Sequence, residues 1–397
     1  MVETSEEEGS FRSRRAAIRF GLLGAATFLF CLSTTMLSLL AVILKQTGMA
    51  EHEIGVVLAA SAVPLLFATL FSGTLIGRYG AIPVAIAGMA VVLVSYVGMQ
   101  FVLQSFVGAL LLRAGHGVGM GLFMPAVMVF AKDQLTGKRF MYYFGLFSSM
   151  MPLPNVLGPL IAETYLDRFG IDGFFLYTAL PIVIALVIAV AMLDGTGAAH
   201  HATADSRYLK LFRLPALRLP SVAALTFGLI WGFAPAFMSL LLAGRGIPVF
   251  YFFSSYTVCM FGSRLIFLGV LQSVPRRLVV AGGLSGIALA YVVLALTSSP
   301  LAVVLAGILY GIAHSVNYPT LSVWMSEQFR PEDRARPVAM FNTLFNFGIF
   351  IAPLLGGYVI SALGIPPFML MLSAAGFVVA GYIAVLTLRP AAALPGA

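Results

Sequence analysis

A chain of 397 residues that is 60% hydrophobic and 10% charged, with mean hydropathy +1.00, is too apolar for a water-soluble globule; its solvent is lipid. The net charge of +8 would suit a nucleic-acid partner if the basic residues formed a patch, but they fall in short clusters between apolar stretches, which excludes that class. Cys31 and Cys259 both lie inside apolar stretches, so neither a disulfide framework nor a zinc site is expected.

In chain order the apolar stretches predict twelve spans, near 18–44, 52–76, 81–102, 105–131, 141–165, 173–193, 219–243, 249–272, 278–297, 300–326, 337–361 and 366–388. Each is close to the roughly 20 residues that cross a bilayer. Glu6, Glu7 and Glu8 read as a solvated tail. Arg12, Arg14, Arg15 and Arg19 then precede the first span, which no small-residue cleavage site follows, so an uncleaved signal-anchor is expected. Of the Lys and Arg residues, Lys45, Arg168 and Arg245 fall in loops on one side, Arg113 and Arg264 fall inside spans, and all others share the opposite face. That face is cytoplasmic by the positive-inside rule, which predicts a multi-pass protein of the cytoplasmic (inner) membrane with both termini inside. The hydrophilic stretch 194–218 carries His200, His201 and an alternating basic and apolar run, Tyr208 to Arg213, suited to the inner leaflet. It predicts a linker between six-helix halves at 1–193 and 219–397. The expected fold is an all-α membrane protein, twelve transmembrane helices in two pseudo-symmetric halves, working as a monomer.

The halves repeat each other. Shifted by 194 residues, Gly117 meets Gly311, Pro125 meets Pro319, Pro159 meets Pro353 and Gly170 meets Gly364, with Phe147 on Phe341 and Phe174 on Phe368. Apolar coincidences are cheap in such a chain, but glycine and proline at fixed places report repeated backbone geometry. Two fused helical repeats are how secondary transporters are commonly built.

Three motifs carry a family resemblance. After the second span, Gly73, Leu75, Arg78 and Gly80 match four places of the cytoplasmic loop signature of the major facilitator superfamily, with Gly77 where that signature has Asp and Ala81 and Ile82 where it has a basic pair. In the fourth span Arg113 to Gly119 resembles the Arg-x-x-Gln-Gly-x-Gly signature, with His116 for Gln. In the fifth, Gly158 and Pro159 resemble the antiporter motif, with Pro154 and Ala162 replacing two of its glycines. The stretch from Gly311 through Pro319 to Gly357 is similar to the sugar-efflux-like branch, and the second half echoes the loop faintly at Gly269, Arg276 and Arg277. The resemblance implies a transporter that works by alternating access, with Gly73, Arg78, Gly80, Gly158, Pro159 and Pro353 at gating positions.

Ionisable groups inside spans are candidates for function because hydrocarbon makes them expensive. Arg113 and Arg264 are candidate substrate ligands; the alternative for Arg113 is a structural bond to helix carbonyls, and Arg264 could reach the inner surface. No Asp or Glu stands near the middle of a span, so a cavity lined by these arginines would favour an anion. His116 and His314 are the candidates for proton coupling, or else satisfied polar residues in helix contacts. Trp231, Asn317, Tyr318, Asn342 and Asn346 could line an apolar pocket and orient a solute, the two helix 11 amides sharing a face, or serve as polar glue. Trp324 reads as an interfacial anchor. His116, Met120, Met124 and Met128 recur every four residues in a pattern suited to Cu(I), though methionine is a routine gap-filler and helix packing is the favoured reading.

No nucleotide-binding motif, paired carboxylates, HExxH or nucleophile elbow occurs, so neither ATP hydrolysis nor intramembrane enzymology is expected, and no cofactor. The expected function is secondary transport of a small organic, anionic or amphipathic solute, with export favoured by the resemblance. Kept open beside it are import or uniport of an organic anion or metallophore, Cu(I) transport, and a non-transporting sensor that has lost its loop signature.

Overall fold

A computed structural model describes residues 11–136, 140–193, 214–270, 274–330 and 333–388, with backbone alone at 140–142, 149, 264–270 and 335. The acidic tail, most of the expected linker with its two histidines, and the Arg264 side chain lie outside the described residues. All long elements are helices: α1 (Arg14–Met36), α2 (Leu40–Gln46), α3 (Glu51–Ala59), α4 (Ala62–Tyr79), α5 (Ala81–Val102), α6 (Phe106–Gln134), α7 (Phe140–Ser149), α8 (Gly158–Phe169), α9 (Phe174–Val190), α10 (Pro215–Ala243), α11 (Phe250–Val270), α12 (Arg276–Leu296), α13 (Pro300–Ser326), α14 (Ala335–Leu363) and α15 (Ile365–Leu388). Among the described residues ten helical stretches are long and apolar enough to cross a membrane. At the places of the other two expected spans stand α9, apolar but 17 residues long, and α11. Helix α10 begins at Pro215, so the last residues of the expected linker are helical.

Three expected spans are broken. The first bends through a 3-10 turn, Leu37–Leu39, and the second is interrupted between α3 and α4. The fifth is broken between α7 and α8, where a 3-10 turn covers Leu153–Val156. Each of Pro152, Pro154 and Pro159 removes an N–H donor and biases its predecessor away from helical geometry. In the second repeat the places of the first two hold Asn346 and Gly348, and α14 runs unbroken for 29 residues through Pro353. The shared Gly-Pro place therefore starts a helix in one repeat and lies inside one in the other.

By proximity of its residues the chain divides into two compact units, Met1–Met49 with Ala60–Ala204, and Ala50–Ala59 with Asp205–Ala397. In the first, α6 packs on α5 and α4, and α9 on α1 and α5. In the second, α10 packs on α14, α11 on α13, and α12 on α13 and α15, while the short α3 lies on α14. Lipid is as apolar as leucine, so these contacts rest on close packing and hydrogen bonds rather than on hydrophobic burial. Gly117 of α6 lies against the Ser61 carbonyl at the start of α4, and its repeat partner Gly311 of α13 against the Tyr256 carbonyl of α11. Gly170 and Gly364 end α8 and α14 with positive φ, 66° and 87°, donating to Leu166 and Ile360 four residues back. At these pairs the repeat in sequence is a repeat in backbone.

Polar groups close the helix ends. Ser13 and Ser105 cap α1 and α6, accepting from Ala16 N at 3.0 Å and Gly108 N at 3.1 Å. Arg245 donates to the carbonyls of Leu294 at 2.5 Å, Thr297 at 2.6 Å and Ala295 at 3.3 Å, at the C-terminus of α12. A cation there satisfies orphan carbonyls and complements the helix dipole. Arg245→Ala should cost about 1 kcal/mol, since the group is partly solvent-screened. A thermal scan in detergent should show a midpoint lower by a few degrees, and an unchanged midpoint would mean that water replaces the guanidinium.

Trp324, expected at the membrane interface, is instead 2% exposed, with the Arg277 guanidinium 5.8 Å from its ring centre. Beside it Arg276 pairs with Glu327. The repeat counterparts of that pair in the first unit are Ile82 and Asp133, so the first unit has kept the acid and lost the base. Arg78, the basic residue retained in the loop signature, lies 5.2 Å from the Tyr79 ring and makes no ion pair among the described residues. The turn it belongs to is held by Gly80, whose φ of 89° joins α4 to α5.

Candidate functional site

Apart from Asn317, and from Arg264, whose side chain lies outside the described residues, the substrate-binding and proton-coupling candidates gather in two places, one in each unit. In the second unit the site is built by close helix approach. Gly228 of α10 meets the Phe345 carbonyl, and Gly348 of α14 lies where a Cβ would be 2.6 Å from the Leu225 carbonyl. This reciprocal contact brings Trp231 of α10 and Phe345 of α14 to 6.0 Å between ring centres. His314 of α13 sits among five rings: Phe227 at 5.3 Å, Tyr256 at 5.8 Å, Trp231 at 6.0 Å, Tyr310 at 6.3 Å, and Phe345 behind Phe227 at 5.0 Å. One turn further along α13, Tyr318 stacks edgewise on Phe345 at 5.3 Å and donates its hydroxyl to Asn342 Oδ1 at 2.9 Å. Asn346 donates to the Asn342 carbonyl at 2.7 Å.

Burial separates what holds this cluster from what it presents. His314, Phe227, Tyr256, Tyr310 and Phe345 are buried, whereas Trp231, Tyr318, Asn342 and Asn346 are half-buried. The result is a contiguous surface of an indole, a phenol and two amides on a rigid aromatic floor. Such a surface can stack a flat apolar body and hydrogen-bond its polar edge. Asn317 is not part of it. Fully buried, its amide turns to α12, where the orientation that satisfies both groups donates to the Val280 carbonyl at 3.2 Å and accepts from Leu284 N at 3.0 Å. Gly283 makes room for that amide, so Asn317 is glue between α13 and α12.

In the first unit Arg113 and His116 lie one turn apart on α6, and the guanidinium donates to His116 Nδ1 at 3.0 Å. Arginine can only donate, so Nδ1 is the acceptor and the imidazole carries its hydrogen on Nε2. Tyr96 of α5 lies 5.7 Å from the His116 ring, and Gly115 lets Ser95 approach α6. With Leu112 and with Phe175 of α9 these residues line a void of about 10 Å³. That holds one particle the size of water, not an organic solute.

The methionine stripe lies on the same helix. Met120, Met124 and Met128 are half-buried, and among the described residues no three His, Cys, Asp or Glu side chains come together. The Arg113 bond occupies the Nδ1 lone pair and puts the hydrogen on Nε2, so His116 offers a metal no free nitrogen, and it sets a fixed positive charge beside the ring, which disfavours Cu(I). Of the expected gating residues, Gly158 and Pro159 begin α8, with Gly158 tight against Thr35 of α1, while the Pro353 carbonyl lies against Gly55 of α3. Gly73 lies within α4.

Sequence reasoning missed Tyr96, Phe227, Tyr256 and Phe345. Aromatic residues are common in this chain and carry no mark of their neighbours. Tyr310 stands 194 residues after His116 and is its counterpart in the repeat.

The family model described as Major Facilitator Superfamily matches residues 23–273 and 251–396. A multidrug transporter protein of Bacillus subtilis (strain 168), MdtP, is 33% identical over 82 residues, 21% of this chain and 15% of that protein. The chain thus aligns with well under two thirds of that relative. Among solved structures, the crystal structure of the nucleoside transporter NupG superposes with TM-score 0.77 at 16% identity, over 94% of this chain and 100% of that one. The crystal structure of the peptide transporter POT in complex with sulfate gives TM-score 0.77 at 14% identity, over 94% of each chain. At such identity the likeness is one of fold.

Proposed function

The chain belongs to the Major Facilitator Superfamily, and is thus a multi-pass membrane transporter rather than an enzyme; on that premise we propose that it carries a small amphipathic organic solute across the cytoplasmic membrane by alternating access. In this reading the chain crosses the bilayer twelve times with both termini inside, as the distribution of Lys and Arg supports. The observation that carries the solute class is the half-buried surface of Trp231, Tyr318, Asn342 and Asn346, held by buried rings around His314. It offers an apolar face and neutral hydrogen-bonding groups, with no carboxylate to recognise a cation.

The anionic variant rested on Arg113 and Arg264. Arg113 is bonded to His116 over a void of water size, so the amphipathic variant is the better supported. Export is the favoured direction because the short match to a multidrug transporter agrees with the partial antiporter motif at Gly158 and Pro159. His314 is the candidate proton carrier for coupling, since it is the titratable side chain in contact with the solute surface.

The test is comparative metabolite profiling of cells with and without the protein, followed by counterflow of the implicated solute in proteoliposomes at two imposed pH gradients. We expect a solute depleted inside producing cells, and a flux that responds to the gradient. Binding without counterflow would identify a sensor and overturn transport. Flux indifferent to the gradient would remove the proton.

A further inference from the structure

The void beside Arg113 is too small for the proposed solute, yet its lining is not that of an ordinary packing defect. We propose that it is a binding site for one monatomic anion, chloride under physiological conditions, held inside the first unit by Arg113 and Tyr96.

Charge is the first ground. Arg113 is a full positive charge in the body of α6, and its one hydrogen-bond partner among the described residues is the neutral acceptor His116 Nδ1. Helices α1, α4, α5 and α9 contain no Asp or Glu at all, and the one acid of α6 is Asp133, twenty residues along. Twenty residues of helix span about 30 Å. Arg113 is half-buried with its Nε fully enclosed, and a guanidinium so partly stripped of water is stabilised by a counter-charge.

Unspent donors are the second. Among the described residues, Arg113 Nε is buried and donates to nothing, and the buried Tyr96 hydroxyl has the Ser33 hydroxyl near it but outside hydrogen-bond geometry. Both residues line the same void, as does His116, which carries a further N–H on Nε2. Orphaned donors on separate helices around one empty volume are uncommon in native interiors and call for a ligand. Ser95 adds no donor, since its hydroxyl is spent on the Val91 carbonyl at 2.8 Å.

Size and surroundings select the anion. About 10 Å³ admits a single water-sized particle and excludes carboxylates of metabolite size. A water placed there would meet mainly donors, whereas a halide accepts from all of them. Leu37, Met99, Leu112 and Phe175 complete the wall and favour a weakly hydrated monovalent ion over phosphate or sulfate. Met99 and Leu112 are flexible enough to yield the small extra radius a chloride needs.

The site belongs to the first unit and the solute surface to the second, so its test does not depend on transport. The full chain, purified in detergent, is titrated with radioactive chloride in a scintillation proximity assay. We expect saturable binding of one chloride per chain, displaced by bromide and untouched by gluconate or sulfate. Tyr96→Phe, which removes one donor and little volume, should weaken binding about tenfold, and Arg113→Gln should abolish it, each in protein that stays monodisperse on size exclusion. Should Arg113→Gln fail to fold, Tyr96→Phe alone decides. Absence of saturable binding, or binding equal in Tyr96→Phe and the unaltered protein, overturns the proposal. Chloride binding without any solute counterflow would sustain it while removing the transport reading.

Discussion

Gly117→Leu and Gly311→Leu should each leave little monodisperse protein, whereas Gly21→Leu should be tolerated. A Cβ at 117 would stand 2.8 Å from the Ser61 carbonyl carbon and closer still to its oxygen; one at 311 would stand 3.1 Å from Met260 N and press on the Tyr256 carbonyl. Backbone cannot rotate out of the way as a side chain can, so the helices themselves must separate. Overpacking of a core costs about 1 to 3 kcal/mol, and a backbone clash belongs at or above the upper end. In lipid the loss is compounded, because close approach is the main source of helix association. Gly21 has nothing within 4 Å of its would-be side chain and is exposed, so leucine there meets lipid and gains helix propensity. Fluorescence-detected size exclusion after heating would rank the three. Equal survival of all three would show that the α4–α6 and α11–α13 contacts carry no stability.

Trp231→Ala should lower transport about thirtyfold with the fold intact, and Trp231→Phe should recover part of it. The indole is half-buried on a floor of His314 and Phe345, so truncation removes stacking area from the proposed solute surface while the buried rings beneath stay in place. Aromatic anchors of this kind are worth about 2 kcal/mol, which is the stated factor. Trp324→Ala makes the contrast. That ring is buried against Arg277, so its loss should lower the thermal midpoint and leave the flux per folded molecule unchanged. Counterflow normalised to folded protein separates the cases. If Trp231→Ala transports normally, the solute surface has been misplaced.

Much of the candidate site was visible as residue types but not as an arrangement. Trp231, His314, Tyr318, Asn342 and Asn346 stood out because polar or indole groups are rare and costly in apolar stretches, and the structure joins them through Phe345, which nothing in the sequence marked. Asn317 stood out by the same rule, yet its amide serves α12, because which way a side chain points depends on helix rotation. Arg113 and His116 were separately noted. Their hydrogen bond follows from a spacing of three on one helix, but the water-sized void beside them needed α5 and α9.

The sequence by itself determined that this chain lives in lipid, that its spans are helices, and that two repeats stand 194 residues apart, because hydrocarbon leaves a backbone almost no other way to satisfy its polar groups. Glycines kept their meaning across the repeat, at Gly117 and Gly311 and at Gly170 and Gly364, since a missing side chain has local consequences wherever it occurs. Only the tertiary structure decided that Pro159 starts a helix while Pro353 sits within one, that Trp324 is interior, and that Arg113 faces a void for one small particle. Those outcomes depend on neighbours brought from distant parts of the chain, and periodicity along a single helix does not record them.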